Sequence, residues 1–323
     1  MTTIVVTGGA GYVGSHIAKA LSRAGHVPVV IDDLSGGHRD NVRWGPLVVA
    51  DLNDRRAVTE AFRVHRPSAV VHCAGRIDAA ASFAESDRYH RDNVAATQAL
   101  LQAMEGQGIG ALVFSSSAAV YGTGASSAIA EDAPLDPISP YGHSKVAAER
   151  CISEESQRLS LRWLALRYFN AAGADPDGEL GEGHEPETHA IPLAIAAARG
   201  GTPFRLFGTD YPTPDGTAIR DYVHVADLAD CHVRAVDALL AGQPSGVFNL
   251  GSERGTSVRE LLAAVSGQAG RAVPTVEEKR RAGDAAVLVA DSSRARHDLG
   301  WRPSPGDLDR IVASAWSWHS RDS

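Results

Sequence analysis

The segment that decides the fold is IVVTGGAGYVGSH at residues 4–16. The apolar residues 4–6 predict a short buried strand, and Gly8, Gly11 and Gly14 follow it at three-residue intervals. Such a turn lets the backbone approach a pyrophosphate closely, and the helix that follows offers amide donors at its N-terminus. The spacing is GxxGxxG rather than GxGxxG, and glycines alone are also typical of an ordinary strand–helix turn.

The first half of the chain alternates short apolar runs with longer amphipathic stretches. The predicted strands are residues 4–6, 27–31, 47–49, 69–72, 112–114 and 164–166, and the predicted helices are 14–24, 54–65, 93–107 and 140–160. Strands that alternate with helices form right-handed crossovers and a parallel sheet covered on both faces. The expected fold class is therefore α/β, a doubly wound parallel (Rossmann) sheet with a smaller C-terminal cap domain that binds the substrate.

The alternation of strand and helix patterns ends near residue 170. Residues 173–190 and 208–216 are rich in turn-forming residues and are expected to be loops, the first a substrate lid. Helical patterns recur at 191–199, 225–240 and 257–267. We expect a dinucleotide-binding domain at 1–170, to which some later segments return, and a mainly substrate-binding domain at 171–323.

Composition restricts the function classes. The formal charge of −8 leaves no basic excess for nucleic acid. Cys73, Cys151 and Cys231 are too far apart for a disulfide framework or a CxxC metal pair, so we expect a cytoplasmic protein without a metal site. The N-terminus does not read as a signal peptide, and no apolar run approaches the length of a membrane span.

The ends of the next three strands support the dinucleotide hypothesis. Asp32 ends the second strand, where a carboxylate accepts hydrogen bonds from ribose hydroxyls and repels a 2′-phosphate, which favours NAD over NADP. A cap or turn role is the alternative for Asp32. Asp51 and Leu52 follow the third strand, where an Asp can hold the adenine amino group. Small residues follow the fourth strand and let the backbone pass under the cofactor, namely Cys73, Ala74 and Gly75.

Ser117, Tyr141 and Lys145 form the candidate catalytic centre. Ser117 ends the fifth strand, at the carboxyl edge of the sheet where ligands bind. The spacing of four places Tyr141 and Lys145 on one face of the next helix. The phenol of free Tyr has a pKa of about 10. The Lys145 ammonium and a nicotinamide cation together would stabilise the phenolate and lower that pKa, while Ser117 holds the substrate hydroxyl.

The chain resembles the nucleotide-sugar 4-epimerases, typified by UDP-galactose 4-epimerase, of the extended short-chain dehydrogenase/reductase superfamily. The likeness covers nearly the whole length. Its segments are TGGAGYVGSH (7–16), SSSAAVYG (115–122), SPYGHSK (139–145), LRYFNAAGA (166–174), FGTDYPTPDGTAIRDYVHV (207–225), FNLGS (248–252) and RRAGD (280–284). The long segment at 207–225 and the YFN at 168–170 are far more specific to this family than the glycine motif.

The resemblance implies 4-epimerisation of a UDP-hexose, UDP-glucose or UDP-galactose, with tightly bound NAD. It makes Tyr141 the base at the sugar 4-OH, Ser117 its helper and Lys145 a contact of the nicotinamide ribose. It implies further cofactor contacts at Tyr12, Val13, Asn93, Ser115, Tyr141 and Tyr168. It implies substrate contacts at Asn170, His189, Ala190, Arg205, Phe207 (uracil), Arg220 and Arg281 (diphosphate), Asp284 (uridine ribose) and Leu288. Forked guanidinium groups suit phosphate oxygens, although surface salt bridges are the alternative for both arginines.

Two departures leave the sugar open. Arg76 and Asp78 replace residues of the family pattern, either as compensating surface charges or as readers of another sugar such as a uronate. Leu288 stands where side-chain bulk gates N-acetylated sugars, and its intermediate size decides nothing. His189 stands at the position of one substrate-contacting Asn of the family, where many bacterial members look like this chain, and a loop histidine with its own partners is as good an explanation as a ligand.

Three rival functions follow from the same residues. A 4-epimerase of a UDP-N-acetylhexosamine, a UDP-uronate or a dTDP-hexose keeps every motif. A 4,6-dehydratase needs an acid–base pair after Ser117, where the chain has Ala118 and Ala119. A non-catalytic NAD-sensing protein is expected to lose Tyr141 or Lys145. The resemblance also implies a homodimer through the helices near 93–107 and 140–160.

Overall fold

The computed structural model describes residues 1–123, 128–281, 283–304 and 308–321. The strands are β1 (Thr3–Thr7), β2 (Val27–Asp32), β3 (Leu47–Val49), β4 (Ala69–His72), β5 (Ala111–Ser117), β6 (Arg162–Tyr168), β7 (Asn170–Ala172), β8 (Phe204–Phe207), β9 (Ile219–His224), β10 (Gly246–Leu250), β11 (Gly255–Ser257), β12 (Thr275–Glu278) and β13 (Val287–Leu288).

The helices connect these strands. They are α1 (Tyr12–Arg23), α2 (Arg55–His65), α3 (Ser86–Tyr89), α4 (Ala96–Gly106), α5 (Pro140–Arg158), α6 (Ala190–Ala198), α7 (Val225–Leu240), α8 (Val258–Ala269), α9 (Ser293–Asp298) and α10 (Leu308–His319). Short 3₁₀ segments occur at Arg39–Asn41, Ala81–Phe83 and Ala118–Tyr121, and a π-helical turn at His90–Ala95 leads into α4.

Seven parallel strands form the main sheet in the order β10-β6-β5-β4-β1-β2-β3. The order reverses between β1 and β4, so the connections after these two strands leave in opposite directions and open a crevice at their carboxyl ends. The doubly wound parallel sheet predicted from the sequence is confirmed. All six predicted strands are present, and β10 adds a seventh from the C-terminal half.

Alternate residues of β1 face opposite sides of the sheet. Ile4 and Val6 belong to a core with residues of α1 and α7, whereas Val5 packs with residues of α2, α4 and α5. All three side chains are fully buried. Helices thus cover both faces, which explains why these strands read as continuous apolar runs. Because β10 belongs to the main sheet and α7 packs on it, the C-terminal half contributes to the same core as the N-terminal half.

The remaining strands form two small sheets beside the main one. Strand β9 pairs with β7, β11 and β13, and β8 pairs with β12. A separate core of α6, α8 and α10 packs here. The sequence did not predict these short strands, because two to six residues without clear alternation give no periodic signal. Of the described helices, none is both long and apolar enough to cross a membrane.

One helix begins differently from its prediction. The stretch 93–107 was expected to be a single α-helix, but its first residues form the π-helical turn and the α-helix begins at Ala96. A π-turn adds one residue to a helical turn, so the 3.6-residue pattern cannot detect it. The turn contains Asn93, whose role in the site is described below.

Four histidines are buried in the fold. They are His16, His72, His224 and His232. The His72 ring bridges β1 and α4, with Nδ1 2.8 Å from Thr7 Oγ1 and Nε2 3.0 Å from Thr97 Oγ1. Burial lowers the pKa of His72 to about 3 and the pKa of the other three to about 4. The folded protein therefore holds these rings neutral.

This burial predicts a loss of stability in acid. The unfolded histidine pKa is about 6.5, so below that pH the unfolded chain binds more protons than the folded one. The free energy of unfolding should fall between pH 7 and pH 5, by up to about 1.4 kcal/mol per pH unit for each buried ring. Urea unfolding at the two pH values measures it. His232→Gln should reduce the slope, and His297→Gln, at a side chain 89% exposed, should not. An unchanged slope in His232→Gln contradicts this account.

Candidate active site

The glycine turn is shaped by two close backbone approaches. Gly8 has φ +71°, and a Cβ there would lie 2.6 Å from Ala74 N. A Cβ at Gly14 would lie 2.2 Å from Gly8 O, whereas one at Gly11 would make only ordinary contact. Helix α1 begins at Tyr12, so the amides of its first turn, including that of Val13, have no partner within the helix. The turn thus leaves a cradle with anion-binding amides, which fits a pyrophosphate.

Asp32 lies at the end of β2 beside this turn and is 8% exposed. Its Oδ2 accepts from Ala10 N at 3.0 Å and its Oδ1 from Leu34 N at 2.8 Å. Burial raises the pKa of the carboxyl, and the two amides oppose that shift. Each carboxylate oxygen keeps a second lone pair that can accept from a ribose hydroxyl. Both the predicted position and the chemistry suit NAD.

The predicted adenine contacts follow β3. Asp51 is exposed, and its Oδ1 accepts from Asn53 N at 2.8 Å and from Asn53 Nδ2 at 3.0 Å. Leu52 is buried. The carboxylate is therefore held in a turn at the same edge of the sheet as Asp32, because both strands are parallel.

Asn93 fixes the turn that follows β4. Its Oδ1 accepts from Arg76 N at 2.7 Å, and its Nδ2 donates to Arg76 O and to Ser144 Oγ at 3.1 and 2.8 Å. Gly75 has φ +150°, and a Cβ there would lie 2.8 Å from Asn93 Oδ1. Both amide hydrogens of Asn93 are used within the protein, so this residue shapes the wall of the predicted cofactor site.

The candidate catalytic side chains converge at the ends of β5 and α5. Ser139 Oγ accepts from Gly142 N at 3.1 Å and caps α5, which places Tyr141 in the first helical turn. Ser117 lies near enough to Tyr141 for its hydroxyl to lower the pKa of the phenol. Lys145 Nζ donates to Ser115 O at 2.9 Å and lies 6.0 Å from the centroid of the Tyr141 ring. The structure thus brings the three predicted residues together.

Electrostatics within the protein favour the neutral form of the Tyr141 phenol. Burial raises the pKa of Tyr141, and the nearby Ser117 hydroxyl opposes the shift. Burial also lowers the pKa of Lys145 to about 8. Within the protein alone, burial therefore outweighs the groups that would lower the Tyr141 pKa. A bound nicotinamide cation would add to the positive charge that stabilises a phenolate, as the sequence predicts.

Ser115 joins several buried groups behind this centre. Its Oγ lies 3.1 Å from Cys73 Sγ and 3.0 Å from His232 Nε2, and the Tyr168 ring packs near the His232 ring with 6.2 Å between centroids. Burial raises the pKa of Cys73 to about 11 and that of Tyr168 well above its ordinary value. These groups are neutral hydrogen-bond partners that hold the ends of β4, β5 and β6 together. No motif or spacing in the sequence indicated His232, which comes from α7.

Two groups of predicted substrate residues form around the small sheets. Arg220 pairs with Asp284, and Leu288 lies opposite Arg220 in the β9–β13 register. The guanidinium carbons of Arg281 and Arg205 lie 3.9 and 5.0 Å from the Phe207 ring centroid. Arg205 is also 3.2 Å from Glu278 and largely exposed. Ala282, within the RRAGD segment, lies outside the described residues.

Asn170 and His189 lie on separate elements. Asn170 Nδ2 donates to Asp221 O at 2.9 Å, which ties β7 to β9. His189 precedes α6, whose first residue is Ala190, and its Nδ1 lies 2.8 Å from Glu187 Oε1 and 3.1 Å from Glu182 Oε1. Burial alone lowers the pKa of His189, but these carboxylates outweigh it and raise the pKa. An imidazolium that precedes a helix N-terminus can help to bind an anion.

The two unusual charges both have partners in the protein. Arg76 Nε donates to Asp92 Oδ2 at 2.7 Å. Asp78 Oδ1 accepts from Ala80 N at 2.8 Å and from Ala81 N at 3.1 Å. These contacts favour a structural role for Arg76 and Asp78 over the recognition of a uronate sugar.

The sequence analysis missed a buried ion pair beneath the catalytic strand. Arg167 and Glu149 lie 2.6 Å apart, and both are almost fully buried. Glu149 Oε1 also accepts from Ser116 Oγ at 2.5 Å. Glu149 lies two turns after Tyr141 on α5, so the pair fixes that helix against β5 and β6. No local pattern links residues 18 positions apart on a helix and a strand.

The glycine cradle and the group of Ser117, Tyr141 and Lys145 together are the arrangement expected of an enzyme of the extended short-chain dehydrogenase/reductase superfamily. Residues 4–251 match the NAD dependent epimerase/dehydratase family. Relatives of matching length agree with this result. The chain belongs to the NAD dependent epimerase/dehydratase family.

Similar proteins cover the chain from end to end. The UDP-glucose 4-epimerase of Rhizobium leguminosarum bv. trifolii is 47% identical over 99% of this chain and 98% of its own. The UDP-glucose 4-epimerase of Brucella ovis in complex with NAD has a TM-score of 0.96 at 44% identity, covering 98% of each chain. A UDP-glucose-4-epimerase from Stenotrophomonas maltophila, with bound NAD and formylated UDP-arabinopyranose, has a TM-score of 0.96 at 36% identity, covering 100% of each.

The close approach at Gly14 predicts that Gly14→Ala loses NAD. The added methyl group would meet Gly8 O and force the turn open. We expect most of the bound dinucleotide to be absent from the purified variant, measured by chromatography after denaturation. Gly106→Ala is the control, because nothing lies within 4 Å of a Cβ there. Full NAD content in Gly14→Ala would show that the turn adapts.

The position of Tyr141 predicts that Tyr141→Phe abolishes turnover and leaves binding intact. The variant loses the hydroxyl near Ser117 and keeps the buried ring. Turnover should fall by about 10²-fold or more, as for the loss of a general acid–base. Steady-state assays and NAD content measure both effects. Turnover near that of the wild type would remove Tyr141 from the mechanism.

Proposed function

We propose that the protein interconverts UDP-glucose and UDP-galactose by NAD-dependent 4-epimerisation. The observation that carries the proposal is the convergence of Ser117, Tyr141 and Lys145 at the end of β5, which only β4 separates from the strand of the glycine cradle. Relatives of 47% and 48% identity over nearly the full chain bear the name UDP-glucose 4-epimerase. The fit of the cradle to a pyrophosphate supports NAD as a tightly held cofactor.

The residues of the chain supply acid–base chemistry and orientation. NAD held by the glycine cradle and Asp32 would supply the acceptor and donor of a hydride for C4 of the sugar. Tyr141 takes the proton of the 4-hydroxyl and later gives it back, with Ser117 holding the substrate oxygen in line. Lys145, fixed on Ser115 O, is placed to contact the nicotinamide ribose and to support a phenolate. The 4-keto sugar turns within the pocket between the two transfers.

The nucleotide part of the substrate is assigned to the small sheets. The Phe207 ring presents an aromatic surface for uracil, and Arg281 lies over it. Arg220 is the second candidate for the diphosphate, and its partner Asp284 is the candidate for the uridine ribose. Asn170 and His189 approach the diphosphate or the sugar from β7 and α6. These roles follow the resemblance and the grouping of the residues described above.

Three further features are part of the proposal. Residues 1–170 mainly bind the cofactor, and residues 171–323 mainly bind the substrate. The protein works in the cytoplasm as a homodimer through α4 and α5, which pack on each other and expose Gln98, Arg150 and Glu154. Sedimentation of the purified protein measures the assembly.

Product analysis tests the proposed reaction. The purified protein, without added cofactor, is incubated separately with UDP-glucose, UDP-N-acetylglucosamine and UDP-glucuronate, and the nucleotide sugars are separated by chromatography. We expect UDP-galactose in the first tube, because NAD remains bound and is regenerated in each cycle. Tyr141→Phe protein is the control for contaminating activity.

Other outcomes have distinct meanings. Conversion in only one of the other tubes would keep the mechanism and change the sugar. No epimer in any tube, even with NAD supplied, would contradict the proposed activity.

A further inference from the structure

One face of α1 carries the segment predicted as the substrate lid. Tyr12, Lys19 and Arg23 are spaced at seven and four residues, so they lie along one side of the helix. Tyr12 Oη donates to Gly173 O at 2.6 Å, and both Lys19 and Arg23 contact Asp177. The helix that opens at the dinucleotide turn is thus also the support of the loop that follows β7.

Lys19 is the buried member of this face, with its side chain only 4% exposed. Its Nζ lies 2.5 Å from Asp175 Oδ2, 2.8 Å from Asp177 Oδ2 and 2.6 Å from Glu179 Oε2. An ammonium has three hydrogens, so one lysine satisfies all three carboxylates. The Trp44 ring centroid lies 5.4 Å from the same nitrogen and shields it. Three carboxylates around one buried ammonium differ from an exposed ion pair, which typically contributes little to stability.

The loop folds tightly around this contact. Asp175 Oδ2 also accepts from Glu179 N, and Asp175 N donates to Leu180 O, each at 3.0 Å. Leu180 is fully buried. The next residues are fixed from α10, because Trp318 Nε1 donates to Glu182 O at 2.9 Å. Glu182 thus lies two residues after the turn that Lys19 holds and is fixed on its other side by α10.

Glu182 connects this turn to the proposed substrate site. Its Oε1 lies 3.1 Å from Nδ1 of His189, which directly precedes α6. A chain of contacts thus runs from Lys19 through residues 175–182 to His189. Helix α1, which carries Lys19, begins in the cradle proposed for the pyrophosphate of NAD.

We propose that Lys19 is a positioning residue for the nucleotide sugar, which sets the 173–190 loop and His189 relative to the cofactor turn. The inference rests on the proposed function, because the loop has this role only in a protein that binds a UDP-sugar. Lys19 touches neither substrate nor cofactor and acts through the loop alone. Its loss should therefore weaken substrate binding and leave the chemistry of Tyr141 unchanged.

Lys19→Met tests this role. The side chain keeps its length and loses its charge, which releases Asp175 and the turn. We expect the KM for UDP-glucose to rise about tenfold or more, with kcat changed by less than about threefold and NAD content unchanged. Arg63→Met is the matched control, because it removes a cation from an exposed pair with Glu60 on α2, away from the loop. Its kinetics should equal those of the wild type.

A double variant separates positioning from stability. Lys19→Met leaves Asp175 buried without its cation, which destabilises the fold. Lys19→Met/Asp175→Asn removes that unpaired charge, so its Tm should return toward the wild-type value. If Lys19 positions the loop, the KM stays high in the double variant. A KM that recovers together with Tm overturns the proposal, as does an unchanged KM in Lys19→Met.

The wild type separates this inference from the proposed function. Failure of the epimerase proposal appears as a wild-type protein that converts no UDP-sugar. In that event the affinity for UDP, measured by calorimetry, replaces the KM. Weaker binding of UDP to Lys19→Met and the double variant supports the inference. Equal affinity, or no UDP binding by the wild type, overturns it.

Discussion

The approach of the Gly8–Gly14 turn to the end of β4 is the constraint on which the site depends. Two side chains are missing where the backbone segments meet, and a methyl group at either glycine would lie within 2.6 Å of a backbone atom. This packing allows α1 to start directly at the edge of the sheet with free amides. Because the strands are parallel, the ends of β2, β4 and β5 meet at that edge, and the candidate cofactor and catalytic residues meet with them.

Single buried carboxylates in this protein each contact groups from several elements. Glu149 connects Arg167 on β6 with Ser116 on β5. Asp221 accepts from the amides of Ser252, Glu253 and Ala290 and joins the small sheets to the end of β10. Removing one partner from such a pair leaves a charge without solvation, which typically costs about 3–5 kcal/mol. These groups specify how elements distant in sequence meet.

The proposed catalytic centre depends on its cofactor. Burial raises the pKa of Tyr141, so the protein itself holds the phenol neutral, whereas Lys145, with a pKa lowered to about 8, stays mostly charged at neutral pH. A bound dinucleotide brings the cation that stabilises the phenolate and ribose hydroxyls that Lys145 can contact. An enzyme with this arrangement has little tendency to deprotonate Tyr141 before the cofactor is in place.

The sequence by itself determined the fold class, the glycine cradle, Asp32 and the Ser117–Tyr141–Lys145 group. Each of these depends on local spacing: a buried strand, a turn that tolerates only small residues, and two side chains four residues apart on a helix. Tertiary structure alone decided that Lys19 binds Asp175, that Arg167 pairs with Glu149, and that His232 bonds to Ser115. Those partners lie 18 to 156 positions apart, and no periodic pattern encodes which distant group satisfies a buried charge. The π-turn at Asn93 and the short strands around Arg220 also required the structure, because their geometry follows from contacts rather than from propensity.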